Sequence, residues 1–311
     1  MVAMSLKALG RSVLSFAVLA ALASAPAHTS VPGTALASRP LAPGVPAQSQ
    51  PADLAAILER CVAYCDKLSR SVLDFVCTER VEETIAQVSV ARPAVSGSSS
   101  RAMYFSRPWG SFDKRTRSKY LYDYQLVRAK SGDITETRVL LEENGHKVGV
   151  KDAPLKTRVF VYKYVVMGPV GLLGREEQAQ FDYSVVKETT FKKQPVIIIQ
   201  VAPKPGAAGN VLYGKVWVRK SDAGILRIEW QPESMGNYEG IEEMARELGM
   251  KPRLSFVSEY DFEKNGIRFP SRYEIEEAYS SKVRATLVRS RTEVTYDAYK
   301  FFTVETGVAI R

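Results

Sequence analysis

The chain has 311 residues, 45% hydrophobic, 25% charged and 10% aromatic, which excludes disorder along its full length. Its 43 Lys and Arg against 34 Asp and Glu leave a formal net charge of +9, a balance that suits an anionic partner. Three Cys and two His exclude a disulfide-dense scaffold and argue against a four-ligand zinc module.

The N-terminus has the three zones of an export signal. Lys7 and Arg11 form a positive region, and Ser12 to Ala23 is an uncharged, mostly apolar stretch of 12 residues. Two A-x-A patterns follow, Ala23-Ser24-Ala25 and Ala25-Pro26-Ala27. The apolar stretch is too short to span a bilayer, which takes about 20 residues. Residues 1–27 are therefore read as a cleaved signal peptide. Its loss leaves a net charge of +7, and the mature chain is expected to be soluble, in the periplasm or otherwise exported. Residues 28–52, rich in Pro, Ala and Ser, read as a flexible segment.

Residues 53–311 are expected to form one domain. Asp53 caps a helix after Pro51, and Leu54, Ile57, Leu58, Cys61, Cys65 and Leu68 give it one apolar face, ending before Ser71. From Leu73 the period becomes two. Strands are expected at Leu73–Val90, then at Tyr120–Lys130 and Ile134–Glu142 joined through Ser131-Gly132-Asp133, then at Arg158–Val166. The segment 167–178 (MGPVGLLGREEQ) reads as a turn and a short helix. It is too short to build its own core, and Met167, Leu172 and Leu173 are read either as a plug in the core or as a lid over an apolar cavity.

Strands at Phe181–Thr190 and Val196–Ala202 come next. A hairpin then joins Gly214–Lys220 to Ile225–Gln231, where Leu226, Ile228 and Trp230 alternate with Arg227, Glu229 and Gln231. Tyr238–Leu248 reads as an inserted helix. Leu254, Phe256, Tyr260 and Phe262 share one face before Asn265-Gly266, and Ile267, Phe269, Tyr273 and Ile275 share one after it. Asn-Gly between alternating runs is a strong hairpin signal. A last strand is expected at Val283–Thr295. The fold class is mainly β with a few helices: a single curved antiparallel sheet, wet on one side, with helices against the apolar side.

No chemistry-bearing motif stands out. G-x-S-x-G, P-loop, H-E-x-x-H and G-x-G-x-x-G patterns are absent. The adjacent pairs Glu142-Glu143, Glu176-Glu177, Glu242-Glu243 and Glu276-Glu277 face apart or fail to converge, and are read as solvated. His146 falls in an expected loop, and nothing marks it as a base for Cys77. No enzyme activity, catalytic residue, metal or cofactor is expected. In an oxidising compartment Cys65 on the helix and Cys77 on the first strand are a disulfide candidate if the helix folds back on the sheet, worth about 3 kcal/mol in the chain-entropy model.

Basic residues cluster at Arg101, Arg107, Lys114, Arg115, Arg117 and Lys119, with Tyr104, Phe105, Trp109 and Phe112 among them, and again at Lys282, Arg284, Arg289 and Arg291. An exported protein seldom meets nucleic acid, so no nucleic-acid partner is expected. Anionic lipid head groups or envelope polymers fit these clusters, as does a strand edge that repels other strands.

The order of signal, helix, long strands, a G-x-V-W-V-like strand (Gly214 to Val218) with its hairpin partner, and Tyr260-Asp261-Phe262 through Ile267-Arg268-Phe269-Pro270-Ser271 resembles the outer-membrane lipoprotein-sorting carriers of the LolA/LolB type. The match covers mainly residues 181–276. The resemblance implies a half-open β-barrel with helices on its concave side, holding acyl chains in an apolar cavity without metal, cofactor or covalent chemistry. The basic aromatic loop at 91–119 and the three Cys depart from that pattern.

The expected function is an exported carrier or sensor of a lipid-like or lipoprotein acyl ligand. The candidate cavity residues are Leu226, Ile228, Trp230, Phe256, Tyr260, Phe269 and Tyr273, which line a cavity or form a closed core, with Met167, Leu172 and Leu173 over them. The alternative is a scaffold or stress-regulatory module of the same fold that binds protein.

Overall fold

Helix α1 runs from Leu54 to Ser71 in the computed structural model, which describes residues 53–73, 75–89, 111–128, 133–206, 211–282 and 285–302. The expected signal peptide, the segment 28–52 and Arg101, Tyr104, Phe105, Arg107, Trp109 and Arg284 lie outside those residues. Ile57, Cys61, Val62, Tyr64, Cys65 and Leu68 make the buried face of α1, wider than the spacing of aliphatic residues alone indicates.

The strands are β1 (Phe75–Ser89), β2 (Ser111–Arg128), β3 (Ile134–Glu143), β4 (His146–Val150), β5 (Phe181–Phe191), β6 (Gln194–Pro203), β7 (Gly214–Arg219), β8 (Ile225–Trp230), β9 (Lys251–Glu259), β10 (Phe262–Lys264), β11 (Ile267–Phe269), β12 (Arg272–Ser280) and β13 (Leu287–Phe301). Two further helices are α2 (Gly168–Leu173) and α3 (Tyr238–Leu248). Eleven strands form one open antiparallel sheet in the order β4-β3-β2-β1-β13-β12-β9-β8-β7-β6-β5. Strands β10 and β11 pair separately through Asn265 and Gly266, both at positive φ as a type I′ turn requires. Helix α1 packs on α2 and β11, α2 reaches β8, and α3 lies against β9.

Three expectations about the backbone and the cysteines change. First, Arg158–Val166 is no strand. It is irregular backbone running into a 3-10 turn at Val165–Met167, and it is apolar because Phe160, Val161, Tyr162, Val165 and Val166 are packed inward. Second, His146 opens a strand, because Asn144-Gly145 makes the same positive-φ turn as Asn265-Gly266. Third, the Cys65–Cys77 bridge is not formed, and all three cysteines are buried free thiols. With α1 seated on α2, Cys65 Sγ donates to Pro169 O at 3.5 Å, while Cys77 on β1 lies against the Tyr299 hydroxyl. Burial pushes the Cys61 thiol up to about 12 and the other two well up, so they are poor nucleophiles.

Alternation gives the large sheet one wet face and one covered face. On the wet face, charges pair across strands: Arg80 with Asp297 at 3.1 Å, Arg272 with Glu293 at 2.7 Å and Arg253 with Glu276 at 2.8 Å. These exposed pairs stabilise weakly, about 0–1 kcal/mol each. They also consume much of the basic surface read from the sequence. Arg117 and Lys119 project from β2 onto Glu82, Arg291 meets Glu274, and Arg289 meets Glu277. Glu277 itself is fully buried, so of the pair read as solvated only Glu276 faces out.

Candidate functional site

The covered face has two halves. Its apolar half is an aromatic trough on β8, β9 and β12. The Trp230 ring stacks on Phe256 with centroids 5.6 Å apart, and Tyr273 meets Phe256 edge-on at 6.2 Å. Trp230 Nε1 donates to Ser258 Oγ at 3.0 Å, which satisfies the indole in a dry setting. Ile228 stands beside Ser258 in the ladder.

Residues 151–173 form a strap over this face. Tyr162 hangs from the strap into the trough, with its ring 4.8 Å from Phe256, 5.3 Å from Tyr273 and 5.9 Å from Trp230, edge-on to each. The strap continues into α2 at Gly168, where a Cβ would lie 2.7 Å from the Tyr260 hydroxyl and 3.3 Å from the Trp230 ring. Glycine is what lets α2 approach so closely. Tyr260 donates to Val165 O at 3.0 Å, and Tyr183 donates to Leu172 O at 2.6 Å.

The polar half lies on β1, β2, β3 and β13. Arg138 forks onto Glu79 (Nε to Oε2 2.6 Å, Nη2 to Oε1 3.1 Å) and reaches Glu136 Oε2 at 3.0 Å. Tyr296 donates to Glu79 Oε1 at 2.8 Å, and Tyr124 to Glu136 Oε1 at 3.0 Å. Glu79 is 0% exposed and Arg138 5%, so this is a charged network in a dry interior. Its carboxylates hold Arg138 protonated, raising it further.

These buried groups take the place of strand partners for the strap. Glu83 Oε1 accepts from Arg158 N at 2.8 Å and Val159 N at 3.1 Å. Glu136 Oε1 also accepts from Tyr164 N, and Tyr122 Oη accepts from Lys156 N at 3.2 Å. Tyr164 sits in the left-handed region at φ 56, ψ 40, a conformation that costs a non-glycine residue of order 1 kcal/mol or more. The strap also leaves polar atoms unsatisfied. The Tyr162 hydroxyl lies by Ser258 without completing a hydrogen bond, and the buried Tyr273 hydroxyl has no partner. Each such group costs about 1–3 kcal/mol. Burial pushes both phenols up, so both remain hydrogen-bond donors at neutral pH.

Of the expected site residues, the structure brings together Trp230, Phe256, Tyr273, Ile228 and Tyr260. Leu226 is buried, and its carbonyl accepts from Tyr260 N at 3.0 Å. Leu172 and Leu173 are fully buried in α2, and Met167 is half-buried beside it. Phe269 belongs to another cluster, 5.2 Å from Phe75 and 5.6 Å from Tyr299. A surface cleft of about 610 Å³ is lined by Lys193, Gln194, Pro195, Arg219, Lys220 and Ser221 instead. Sequence reading missed Tyr162, Glu79, Glu83, Glu136 and Arg138. Parity was the available signal for the two on β1, because Glu79 and Glu83 share the inward positions of Cys77 and Val81. Among the described residues no group of three or more His, Cys, Asp or Glu is placed to hold a metal. No described helix is long and apolar enough to cross a membrane.

No protein-family model matches the chain, and no curated protein matches it. Solved structures are distantly similar. A DUF1329 family protein from Desulfovibrio piger aligns at 11% identity over 83% of this chain and 95% of that one, with a TM-score of 0.36. A LolA superfamily protein from Nitrosomonas europaea aligns at 12% identity over 83% and 97%, with a TM-score of 0.31. A putative outer membrane lipoprotein-sorting protein domain from Vibrio parahaemolyticus aligns at 12% identity over 81% and 94%, with a TM-score of 0.33.

Proposed function

We propose that the chain is an exported, non-enzymatic carrier or sensor that takes an acyl chain of a lipid or lipoprotein in the aromatic trough, in the place that Tyr162 fills. The observation that carries this reading is the seating of Tyr162. It occupies an aromatic trough from a strap of irregular backbone, and it leaves two phenolic donors buried without partners. An acyl chain covers the same rings by apolar burial, at about 25 cal/mol per Å². An ester or carboxyl oxygen entering with it supplies the acceptor that the Tyr273 hydroxyl lacks. Residues 1–27 fit export of the chain to the envelope.

Titration of the mature chain with a fluorescent fatty-acid probe tests this. Saturable binding is expected. Tyr162→Ala is expected to bind about tenfold more tightly, because the ring no longer competes for the trough, a gain of about 1.4 kcal/mol. Phe269→Ala, in the separate cluster, is expected to leave the affinity unchanged. The reading is rejected if neither the wild type nor Tyr162→Ala binds saturably.

A further inference from the structure

One end of the large sheet gathers several turns. The register brings Phe301 of β13 opposite Phe75, Thr295 and Glu259 opposite Arg272, and Glu259 opposite Arg227. The β5–β6 turn, the β7–β8 turn and the β10–β11 hairpin therefore lie at the end where β13 finishes.

This end exposes aromatic rings. Phe262 is 36% exposed and Phe302 52%, and they are the aromatic members among the exposed large apolar residues described. Phe262 stacks nearly parallel on Tyr299, 4.6 Å away, and lies 6.0 Å from Phe301 at an interplanar angle of 12°. Tyr299 is pinned from behind, its hydroxyl donating to Pro270 O at 2.6 Å.

Lysines share this end. Lys264 Nζ lies 6.0 Å from the Phe301 ring centre, and Lys67 Nζ donates to Asn265 O at 2.6 Å. Lys300, between Tyr299 and Phe301 on β13, and Lys193, in the β5–β6 turn, are exposed at the same end. None of these four pairs with a carboxylate among the described residues. Apart from Asp66, exposed beside Lys67, the acids of this end are already engaged: Glu263 by Arg219 and Arg268, Asp261 and Glu259 by Lys192, Glu188 by Lys220 and Asp297 by Arg80. With four such lysines against Asp66, the balance of unneutralised charge facing water here is positive. The cleft of about 610 Å³ with Lys193 and Lys220 in its wall opens at the same end.

Exposed rings set among unpaired lysines have the composition of an interfacial anchor: aromatic groups sit at head-group depth while ammonium groups meet lipid phosphate. Phe262 is stacked on Tyr299 and Phe301, so little of its face is left for nucleic-acid bases. We infer that this end of the sheet docks on an anionic lipid surface, with Phe262 and Phe302 entering the head-group layer and Lys67, Lys193, Lys264 and Lys300 against the phosphates. This surface is separate from the trough, so the inference stands or falls apart from the acyl-carrier reading.

Sedimentation of the mature chain with phosphatidylcholine vesicles, with and without phosphatidylglycerol, tests it. Binding is expected only to the phosphatidylglycerol vesicles, and it weakens as salt screens the lysines. The double variant Lys264→Glu/Lys300→Glu, which removes two exposed ammonium groups and the Lys264 contact with the Phe301 ring, is expected to bind at least about tenfold more weakly. Phe262→Ser is expected to weaken binding at all salt concentrations. Equal vesicle binding by the lysine variant and wild type overturns the inference. So does failure to bind phosphatidylglycerol vesicles, or a preference for single-stranded DNA over them.

Discussion

Replacing Arg138 with methionine is expected to lower the unfolding free energy by about 3–5 kcal/mol, the usual cost of removing one partner from a buried ion pair. The loss is large because two carboxylates depend on this guanidinium. Glu79 takes two of its donors and Glu136 a third, and neither acid has water to turn to. Methionine fills most of the volume, so the loss reports uncompensated charge rather than a cavity. Adding Glu79→Gln to Arg138→Met removes one stranded charge, and the double variant is expected to be more stable than Arg138→Met alone. Arg117→Met is the contrast. Its partner Glu82 is half-exposed, and the expected loss is under about 1 kcal/mol. Urea denaturation followed by circular dichroism measures all three. Equal losses for Arg138→Met and Arg117→Met would mean that the Glu79–Arg138–Glu136 network is wet.

Trp230→Ala is expected to cost about 3–5 kcal/mol, the range for removing a large buried aromatic side chain. Its indole joins the trough to the strap, stacked on Phe256, edge-on to Tyr162 and beneath Gly168. Truncation also leaves Ser258 Oγ without its indole donor. Trp217 is the internal control. It lies on the wet face of β7, partly covered by Arg227, whose guanidinium is 5.3 Å from the ring. Trp217→Ala is expected to cost about 1 kcal/mol, mostly lost cation–π contact. Thermal unfolding of the two variants separates the faces, and similar midpoints would contradict the assignment of Trp230 to the covered side.

The contrast between Trp217 and Trp230 is of a kind that sequence makes plain. Strand parity assigned Leu226, Ile228, Trp230, Phe256 and Tyr273 to one face, and the hairpins through Asn265-Gly266 and the β7–β8 turn followed from turn chemistry. Two physical facts hid the rest. The run from Arg158 to Val166 is as apolar as a strand, and nothing local shows that its amides bond to Glu83 and Glu136 instead of to a neighbouring strand. Those glutamates look like surface residues until a partner from another strand, Arg138, makes their burial affordable. The missing bridge has a similar origin. Cys65 and Cys77 are close in sequence, but α1 turns Cys65 toward α2 while β1 turns Cys77 toward Tyr299.

Hydrogen exchange of the strap, with and without palmitate, tests most directly whether an acyl chain takes the place of Tyr162. The amides of Arg158, Val159 and Tyr164 are held by Glu83 and Glu136, while those of Ile197, Ile198 and Ile199 sit in the β5–β6–β7 ladder. At saturating palmitate the first group is expected to exchange faster as the strap lifts, with the ladder amides unchanged. Unchanged or slower exchange at Arg158, Val159 and Tyr164 under saturation would contradict the account.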